Sequence, residues 1–264
     1  MVLEKTKSAV LVVFYKPSIT DLLNTLRNIM KFEIAILSWN SKPQDIYKLA
    51  ENNNIDLSNC SIYNITNKLN LGVGGGINSG FKYLLMSDIK TKYVLVLDQD
   101  SFVKMNKNKI SRYFNAFSSY KEFALLGFSR IKSHPNSHSN ELDKDNSTNI
   151  NSPTIGNLFN YSYMHSGVVY NLNAFIYLKG FRQEFFMEFT DIEYSLRAKR
   201  SRFALLHIDD DLIFHDAGKP YLTNFKIPNI LQSVYHPLWI IYLQYRNVSF
   251  TLIKYIFYFP LYSI

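Results

Sequence analysis

Short apolar runs alternate with amphipathic segments along the first hundred residues of the chain. Apolar residues recur at helical spacing over residues 18–30 and 43–53, with Ser18 placed to cap the first helix. Four continuous apolar runs predict buried strands at residues 9–15, 33–38, 60–65 and 93–97. Strands that alternate with helices predict an α/β fold with a parallel, doubly wound sheet, whose ligands bind beyond the carboxyl ends of the strands.

The alternation becomes less regular after residue 100. Apolar spacing predicts helices over residues 107–118, 173–177 and 191–201, and strands over 123–128, 160–170 and 203–208. Between them, residues 132–154 contain almost no apolar side chain. A polar segment of this length is either a functional lid or a disordered loop, and the sequence leaves both alternatives open.

Glycines are concentrated just before the fourth predicted strand. Half of the protein's 10 glycines fall here: Gly72, Gly74, Gly75, Gly76 and Gly80. A tight turn needs one or two glycines, so this density predicts a loop over residues 72–80 that faces a ligand, followed by a helix over residues 80–86. The segment lacks the Gly-Lys-Ser/Thr of a Walker loop and the full glycine spacing of a dinucleotide fingerprint.

Two carboxylates stand directly after the strand predicted at residues 93–97. Asp98 and Asp100 flank Gln99 at the edge where the parallel sheet is expected to bind ligands. Oxygen ligands of this kind suit a hard divalent cation such as Mg²⁺ or Mn²⁺, which would bridge the phosphates of a bound nucleotide. A solvated acidic turn is the competing interpretation.

Asp191 follows an aromatic run and opens the helix predicted over residues 191–201. An acidic residue fits a helix N-terminus because the helix dipole favours negative charge there. It also fits a general base that takes a proton from a hydroxyl group. Arg197 lies four residues after Glu193, a spacing that favours an ion pair between the two.

Further polar residues surround the end of the last predicted strand. His215 precedes a glycine in a predicted loop, where an imidazole can contact a metal or a phosphate. Asp209, Asp210 and Asp211 lie close by, but three consecutive side chains on a strand cannot all face one ion. We therefore interpret the three acids as a solvated turn.

Charge and composition narrow the classes of function. The 29 Lys and Arg exceed the 21 Asp and Glu by 8, but no basic block or known motif indicates a nucleic-acid-binding protein. A single cysteine, Cys60, excludes a disulfide framework and a four-thiolate zinc site within one chain. The apolar segment over residues 248–264 contains Pro260, so we expect it to pack on the core or to lie at a bilayer surface, not to span a membrane.

In their order along the chain, these motifs resemble an inverting glycosyltransferase of the GT-A fold, family 2 type, over residues 9–220. The stretches Leu97-Asp-Gln-Asp-Ser101 and Tyr245-Arg-Asn247 resemble its rhamnosyltransferase branch. The resemblance implies a GT-A (Rossmann-like), mostly parallel sheet flanked by helices, with a C-terminal apolar helical tail.

The resemblance also implies a division of the chain. Residues 1–220 would form the GT-A domain, with a nucleotide-sugar-binding half over 1–100 and an acceptor half over 101–220. Residues 221–264 would form a C-terminal helical segment that either packs on the domain or associates with a membrane.

Individual roles follow from the same resemblance. Asp191 would be the catalytic base, and Asp98, Asp100 and His215 would hold Mg²⁺ or Mn²⁺. Contacts to the donor are expected from Tyr15, Asn70, Gly72, Gly74, Gly76, Asn78, Asp98 and Gln99.

Two positions depart from the family pattern. Ser38 stands where the family usually has an Asp that holds the nucleoside, and neighbouring Trp39 could stack on the base instead. Thr190 replaces the Glu that usually precedes the catalytic Asp, which is tolerable because proton abstraction needs one carboxylate.

The expected reaction is transfer of a sugar, best matched by L-rhamnose from dTDP-rhamnose, onto a hydroxyl of a growing, lipid-linked surface polysaccharide. The implied partners are a nucleotide-diphosphate sugar and a glycan or lipid-linked acceptor. The implied setting is the cytoplasm, with peripheral association at the inner face of the cell membrane as an open alternative. Competing hypotheses are a non-catalytic subunit that binds glycan or nucleotide sugar, and a sugar nucleotidyltransferase, whose basic phosphate loop after the first strand is missing here.

Overall fold

The computed structural model describes residues 6–131, 149–155, 164–215 and 237–259. Within these residues, the strands are β1 (Ala9–Phe14), β2 (Ile34–Trp39), β3 (Ser61–Thr66), β4 (Tyr93–Asp98), β5 (Ser101–Val103), β6 (Phe123–Ile131), β7 (Thr154–Ile155), β8 (Val168–Asn171) and β9 (Ala204–His215). The α-helices are α1 (Ile19–Ile29), α2 (Ile46–Asn52), α3 (Gly72–Met86), α4 (Lys107–Ala116), α5 (Leu172–Tyr177), α6 (Thr190–Arg200) and α7 (Leu238–Tyr255). Short 3₁₀ turns span Phe117–Ser119 and Gln183–Phe185.

All the strands belong to one sheet, in the order β3-β2-β1-β4-β8-β6-β9-β5, with β7 paired to β9. The first four strands in this order are parallel neighbours, so the strands predicted from the first hundred residues form one block. Beyond it, β8 is antiparallel to both β4 and β6, and β6 is parallel to β9. The predicted α/β fold class is confirmed.

Helices cover both faces of the sheet. One apolar core includes residues of α1, α2 and α4, and the other includes residues of α3, α5 and α6. Burial on both faces explains why the parallel strands appear in the sequence as continuous apolar runs and not as alternating ones. Ser18 caps α1 as predicted, because its hydroxyl accepts from the Asp21 N–H while the Asp21 carboxylate accepts from the Ser18 N–H.

The predicted glycine loop over residues 72–80 is wrong, because these residues form the first half of α3. The glycines allow α3 to lie unusually close to the sheet. A Cβ on Gly80 would overlap the Leu11 side chain, and one on Gly76 would lie 2.5 Å from Val13 Cγ1. Close packing of helix on strand therefore explains a glycine density that the sequence alone attributes to a ligand-facing loop.

The late elements also differ from their predictions. The strand predicted at 203–208 continues to His215, so Asp209, Asp210 and Asp211 lie in β9 and not in a solvated turn. Of the strand predicted at 160–170, residues 160–163 lie outside the described part and β8 begins at Val168. Most of the polar segment predicted at 132–154 lies outside the described residues as well.

The C-terminal apolar helix begins earlier than the predicted segment, at Leu238, and packs beside α6. None of the helices in the described ranges is both long and apolar enough to cross a membrane.

Candidate active site

The acidic motif forms a tight turn between two strands. β4 ends at half-buried Asp98, the chain turns at Gln99 and Asp100, and β5 begins at Ser101. The buried Ser166 hydroxyl holds this turn: it accepts from the Asp98 N–H at 3.2 Å and lies 2.6 Å from the Ser101 hydroxyl. The two carboxylates are therefore presented at the carboxyl end of β4, where the sequence predicts the metal and phosphate site.

The loop that follows β1 lies beside this turn. The Gln99 side-chain oxygen accepts from the Tyr15 N–H at 2.9 Å, and the Tyr15 ring is about half exposed. Because β1 and β4 are parallel neighbours, their carboxyl ends meet at one edge of the sheet. The structure thus brings Tyr15 and Gln99, both predicted to contact the donor, into direct contact with each other.

The strand containing His215 also reaches the acidic turn. His215 is the last residue of β9 and not part of a loop as predicted, and it pairs with Ser101 of antiparallel β5. The backbone of His215 therefore lies opposite Ser101, the residue that follows Asp100. By chemistry, the two carboxylates suit Mg²⁺ or Mn²⁺. Among the described side chains, however, no three His, Cys, Asp or Glu are grouped closely enough to hold a metal ion.

Asp210 of β9 has a structural role instead. The Asp210 carboxylate accepts from Lys109 Nζ at 2.9 Å and from the Tyr113 hydroxyl at 2.6 Å. Burial, followed by the hydrogen bond to Asp210, raises the pKa of Tyr113. These contacts bind α4 to β9.

Asp191 lies in the first turn of α6, partly exposed to solvent. A carboxylate at this position is a group that can act as a general base. Two residues later, the fully buried Glu193 pairs with Arg197 at 2.7 Å, so the predicted ion pair is confirmed. Burial alone would raise the pKa of Glu193, but Arg197, Tyr255 and Arg182 lower it overall.

Two residues that the sequence analysis did not identify connect the acidic turn to α6. Ser166 holds the Asp98 turn, and the preceding His165 places Nε2 2.6 Å from the Thr190 hydroxyl, next to Asp191. His165 Nδ1 lies 3.1 Å from the Tyr170 hydroxyl, and the imidazole is buried. The sequence did offer a signal for these two residues, because a polar pair stands just before Gly167 and the buried strand β8. The strand predicted over residues 160–170 included the pair, so it was not recognised.

The loop before α6 is strained. Three of its residues, Phe186, Glu188 and Phe189, have φ between 48° and 64°. Residues other than glycine rarely adopt this backbone region. Asn247 of α7 is fully buried, and its amide nitrogen lies 2.9–3.0 Å from the carbonyl oxygens of Phe185, Met187 and Glu188. The sequence pattern singled out Asn247 without a role; the structure shows that it holds the loop leading to Asp191.

The remaining predicted donor contacts lie along α3. Asn70, two residues before the helix, accepts from the Gly72 N–H at 3.0 Å. Gly72 has φ +69°, and a Cβ there would overlap Phe186 O. A Cβ on Gly74 would lie 3.2 Å from the Phe181 Cβ, so this glycine also faces protein.

Asn78 uses both side-chain amide atoms within the protein. It donates to Phe181 O and accepts from the Phe181 N–H, each at 2.8 Å. These bonds fix the chain that leads toward α6, so a structural role accounts for Asn78.

The proposed stacking of Trp39 on a base is wrong for this structure. The indole is fully buried and stacks on Phe14 with ring centroids 4.4 Å apart, and its N–H donates to Asn64 Oδ1. Ser38 is also buried and donates to Gly76 O at 2.8 Å. The Ser38 hydroxyl therefore joins β2 to α3 at the position where the family usually has an Asp that holds the nucleoside.

Solved glycosyltransferase structures share this architecture. S. aureus TarS 1-349 in complex with UDP matches 95% of this chain and 66% of its own, with 13% identity and a TM-score of 0.59. The mannosyltransferase PcManGT from Pyrobaculum calidifontis, in complex with GDP-Man and Mn²⁺, matches 96% of this chain and 75% of its own, with 8% identity and a TM-score of 0.57.

The chain spans 40% of the longer S. aureus TarS structure. Neither a protein-family model nor a curated protein matches the sequence. At these identities the structural matches show a shared fold, and the chain has the α/β architecture of the GT-A glycosyltransferases.

Proposed function

We propose that this chain is a metal-dependent, inverting glycosyltransferase that uses a nucleotide-diphosphate sugar. One observation carries the proposal: adjacent residues of a single loop contact both candidate motifs. Ser166 holds the Asp98 turn, and His165 contacts Thr190 beside Asp191. These two contacts support an arrangement in which the acidic turn at a strand end and the carboxylate at a helix start lie around the same edge of the sheet, where α/β folds bind ligands.

In this proposal the acceptor hydroxyl attacks the anomeric carbon from the face opposite the diphosphate, and Asp191 removes its proton as attack proceeds. A single displacement inverts the anomeric centre. A divalent cation bound by Asp98 and Asp100, with His215 as a third ligand, would neutralise charge on the leaving diphosphate. Tyr15 and Gln99 would line the donor side, with Asn70 and the start of α3 behind them.

The finer assignments also belong to the proposal. The sugar is L-rhamnose from dTDP-rhamnose, and the acceptor is a hydroxyl of a lipid-linked polysaccharide at the cytoplasmic face of the membrane. The donor half covers residues 1–100 and the acceptor half residues 101–220. Solved structures with this fold contain UDP in one case and GDP-Man with Mn²⁺ in another, which supports a nucleotide-sugar donor in general.

Turnover of the donor in the presence of Mn²⁺ tests the proposal. dTDP-rhamnose, UDP-glucose and GDP-mannose are incubated with the protein, and release of nucleoside diphosphate is measured, with water serving as acceptor. We expect release from one donor, reduced at least about 100-fold by Asp191→Asn. The matched control is Asp88→Asn, which neutralises an exposed acid just after α3.

Nucleotide binding is measured on the same samples. Binding without turnover of any donor would replace the proposal with its alternative, a non-catalytic subunit that binds nucleotide sugar. Equal turnover by the wild type and Asp191→Asn would remove Asp191 from the role of base.

A further inference from the structure

α7 has one buried side and one exposed apolar side. Residues at four-residue spacing face the protein and are buried: Leu243, Asn247, Thr251 and Tyr255. The opposite side, which we call the outward face of α7, consists of Leu238, Tyr242, Tyr245, Ile253 and Ile256. Tyr245 is 73% exposed and Ile253 is 78% exposed. By helical spacing the exposed Ser249 lies on this same side, and the Arg246 guanidinium lies at its edge, 5.9 Å from the Tyr242 ring. A side so rich in exposed apolar and aromatic residues is unusual for a protein surface in contact with water alone.

The outward face is fixed in place. Tyr255 donates to the buried Glu193 carboxylate at 2.7 Å, and the Asn247 amide is bound to the loop before α6. At the C-terminal end, the Arg200 guanidinium lies 4.0 Å from the Tyr258 ring and donates to its hydroxyl. Exposure of the apolar side chains is therefore a property of the docked helix and not of a frayed end.

Positive charge borders this face. α7 itself contains no Asp or Glu, and its exposed Arg246 stands at the edge of the outward face. Its other basic residue, Lys254, is directed to the protein side, 4.0 Å from the buried Glu193 carboxylate, and Glu188 accepts from Gln244 of α7. Beside its C-terminal end, the end of α6 exposes Lys199, Arg200 and Arg202. An apolar, Tyr-rich helix face with a basic border complements a bilayer that contains anionic lipid. A second copy of the chain fits this face less well, because the basic borders of the two copies would repel each other.

We propose that the outward face of α7 docks on the surface of an anionic lipid bilayer, with the helix lying parallel to the bilayer plane. The inference extends the membrane setting in the proposed function by naming the surface that makes the contact. Asn247 and Glu193 connect the same helix to the loop and the helix that position Asp191. Docking would thus place the candidate base close to a lipid-linked acceptor.

Vesicle flotation tests this surface without donor or acceptor, so its outcome is independent of sugar transfer. The full chain is mixed with vesicles of phosphatidylcholine alone or with about 30 per cent of the anionic lipid phosphatidylglycerol added. We expect binding to the anionic vesicles that weakens as salt is raised. The double substitution Tyr245→Ser and Ile253→Ser should weaken vesicle binding at least about tenfold. Burial of a single apolar side chain already contributes about a factor of ten in affinity.

The matched control substitutes two equally exposed apolar residues elsewhere, Leu69→Ser and Met86→Ser, which are 73% and 77% exposed. The control should bind vesicles as the wild type does, and all three proteins should melt at similar temperatures. The proposal is overturned if the wild type ignores anionic vesicles, or if both double variants lose binding equally. It is also overturned if the outward substitutions convert a stable dimer to a monomer and leave vesicle binding unchanged.

Discussion

Asn247 shows how a single buried amide can shape a candidate active site from a distance. It belongs to α7, yet its side-chain nitrogen serves three carbonyl oxygens of the strained loop that leads into α6. Positive φ values at Phe186, Glu188 and Phe189 are unfavourable by themselves, so the loop needs such external contacts to persist. The position of Asp191 therefore depends on a residue more than fifty positions later in the sequence.

We predict that Asn247→Ala lowers the free energy of unfolding by about 1–3 kcal/mol, because buried carbonyl groups lose a donor. It should also lower kcat for donor turnover by about tenfold or more while nucleotide affinity stays unchanged, since the loop releases Asp191. Chemical denaturation and single-turnover kinetics measure the two effects.

The control for this variant is Thr251→Val on the same buried stripe of α7. Among the described residues, the Thr251 hydroxyl donates to the carbonyl of Asn247 in its own helix, at 2.7 Å. Thr251→Val should therefore keep full activity. Equal activity losses in the two variants would mean that packing of α7, and not the Asn247 amide, determines turnover.

Thr190 departs from the family pattern at the position before the candidate base, and its hydroxyl lies 2.6 Å from His165 Nε2. We predict that Thr190→Val, which keeps the shape and removes the hydroxyl, lowers kcat about tenfold with little change in KM for the donor. Thr190→Ser should restore most of the activity because it keeps the hydroxyl. If the Val and Ser variants behave alike, the contact to His165 has no part in positioning Asp191.

At the scale of elements, the strand and helix alternation of the first hundred residues could be predicted because its periodicity is local. The second half of α3, residues 80–86, was predicted as a helix, but its first half was not, because glycines in isolation favour loops. Their effect here depends on Leu11 and Val13, which lie on another element. The extension of β9 to His215 was missed for a similar reason: its acidic residues suggest a turn until Lys109 and Tyr113 are placed against Asp210.

Gly80→Ala tests this account of α3. Helix propensity alone would make alanine more stable than glycine by about 1 kcal/mol. The overlap with Leu11 should reverse the sign, and we expect a loss of about 1–3 kcal/mol in the free energy of unfolding. Ser79→Ala, one residue earlier in the same helix and less buried, should be close to neutral. A stabilised Gly80→Ala variant would contradict the close packing of α3 on β1.

Glu193 joins α6 to its neighbours. Its buried carboxylate accepts from Arg182 and from the Tyr255 hydroxyl of α7, in addition to Arg197. Burial opposes the ionised form and these partners favour it, with the net result that the pKa lies below its ordinary value near 4.5. A carboxylate with a lowered pKa in the folded state stabilises the protein above the unfolded pKa, and this stabilisation is lost as pH falls through the folded pKa.

We therefore predict that the wild type loses stability steadily as pH falls below about 4.5. Glu193→Gln should be less stable at neutral pH by about 3–5 kcal/mol, because two arginines lose their buried partner. Its stability should also fall less steeply in acid. Glu51→Gln, at an exposed position on α2, serves as the control and should follow the wild type. An acid profile of Glu193→Gln that parallels the wild type would contradict this assignment.

At the scale of the whole molecule, the sheet brings together residues that are far apart in sequence. β1 and β4 end at the same edge, β9 returns to that edge beside β5, and the loop before β8 connects the acidic turn to α6. The order of the motifs along the chain predicted the acidic turn and the candidate base. The residues that join them, His165 and Ser166, could be found only once the antiparallel half of the sheet had been placed.

We propose that the turn at Asp98 and Asp100 binds a nucleoside diphosphate together with a divalent cation. Thermal melting with dTDP, UDP and GDP, each with and without Mn²⁺, tests it most directly. A ligand at 100 times its Kd stabilises by about 2.7 kcal/mol, which is several degrees in Tm for a chain of this size. We expect a shift with at least one nucleotide that requires Mn²⁺, is abolished by Asp98→Asn and is kept by Asp88→Asn. No shift with any nucleotide, or an unchanged shift in Asp98→Asn, would contradict it.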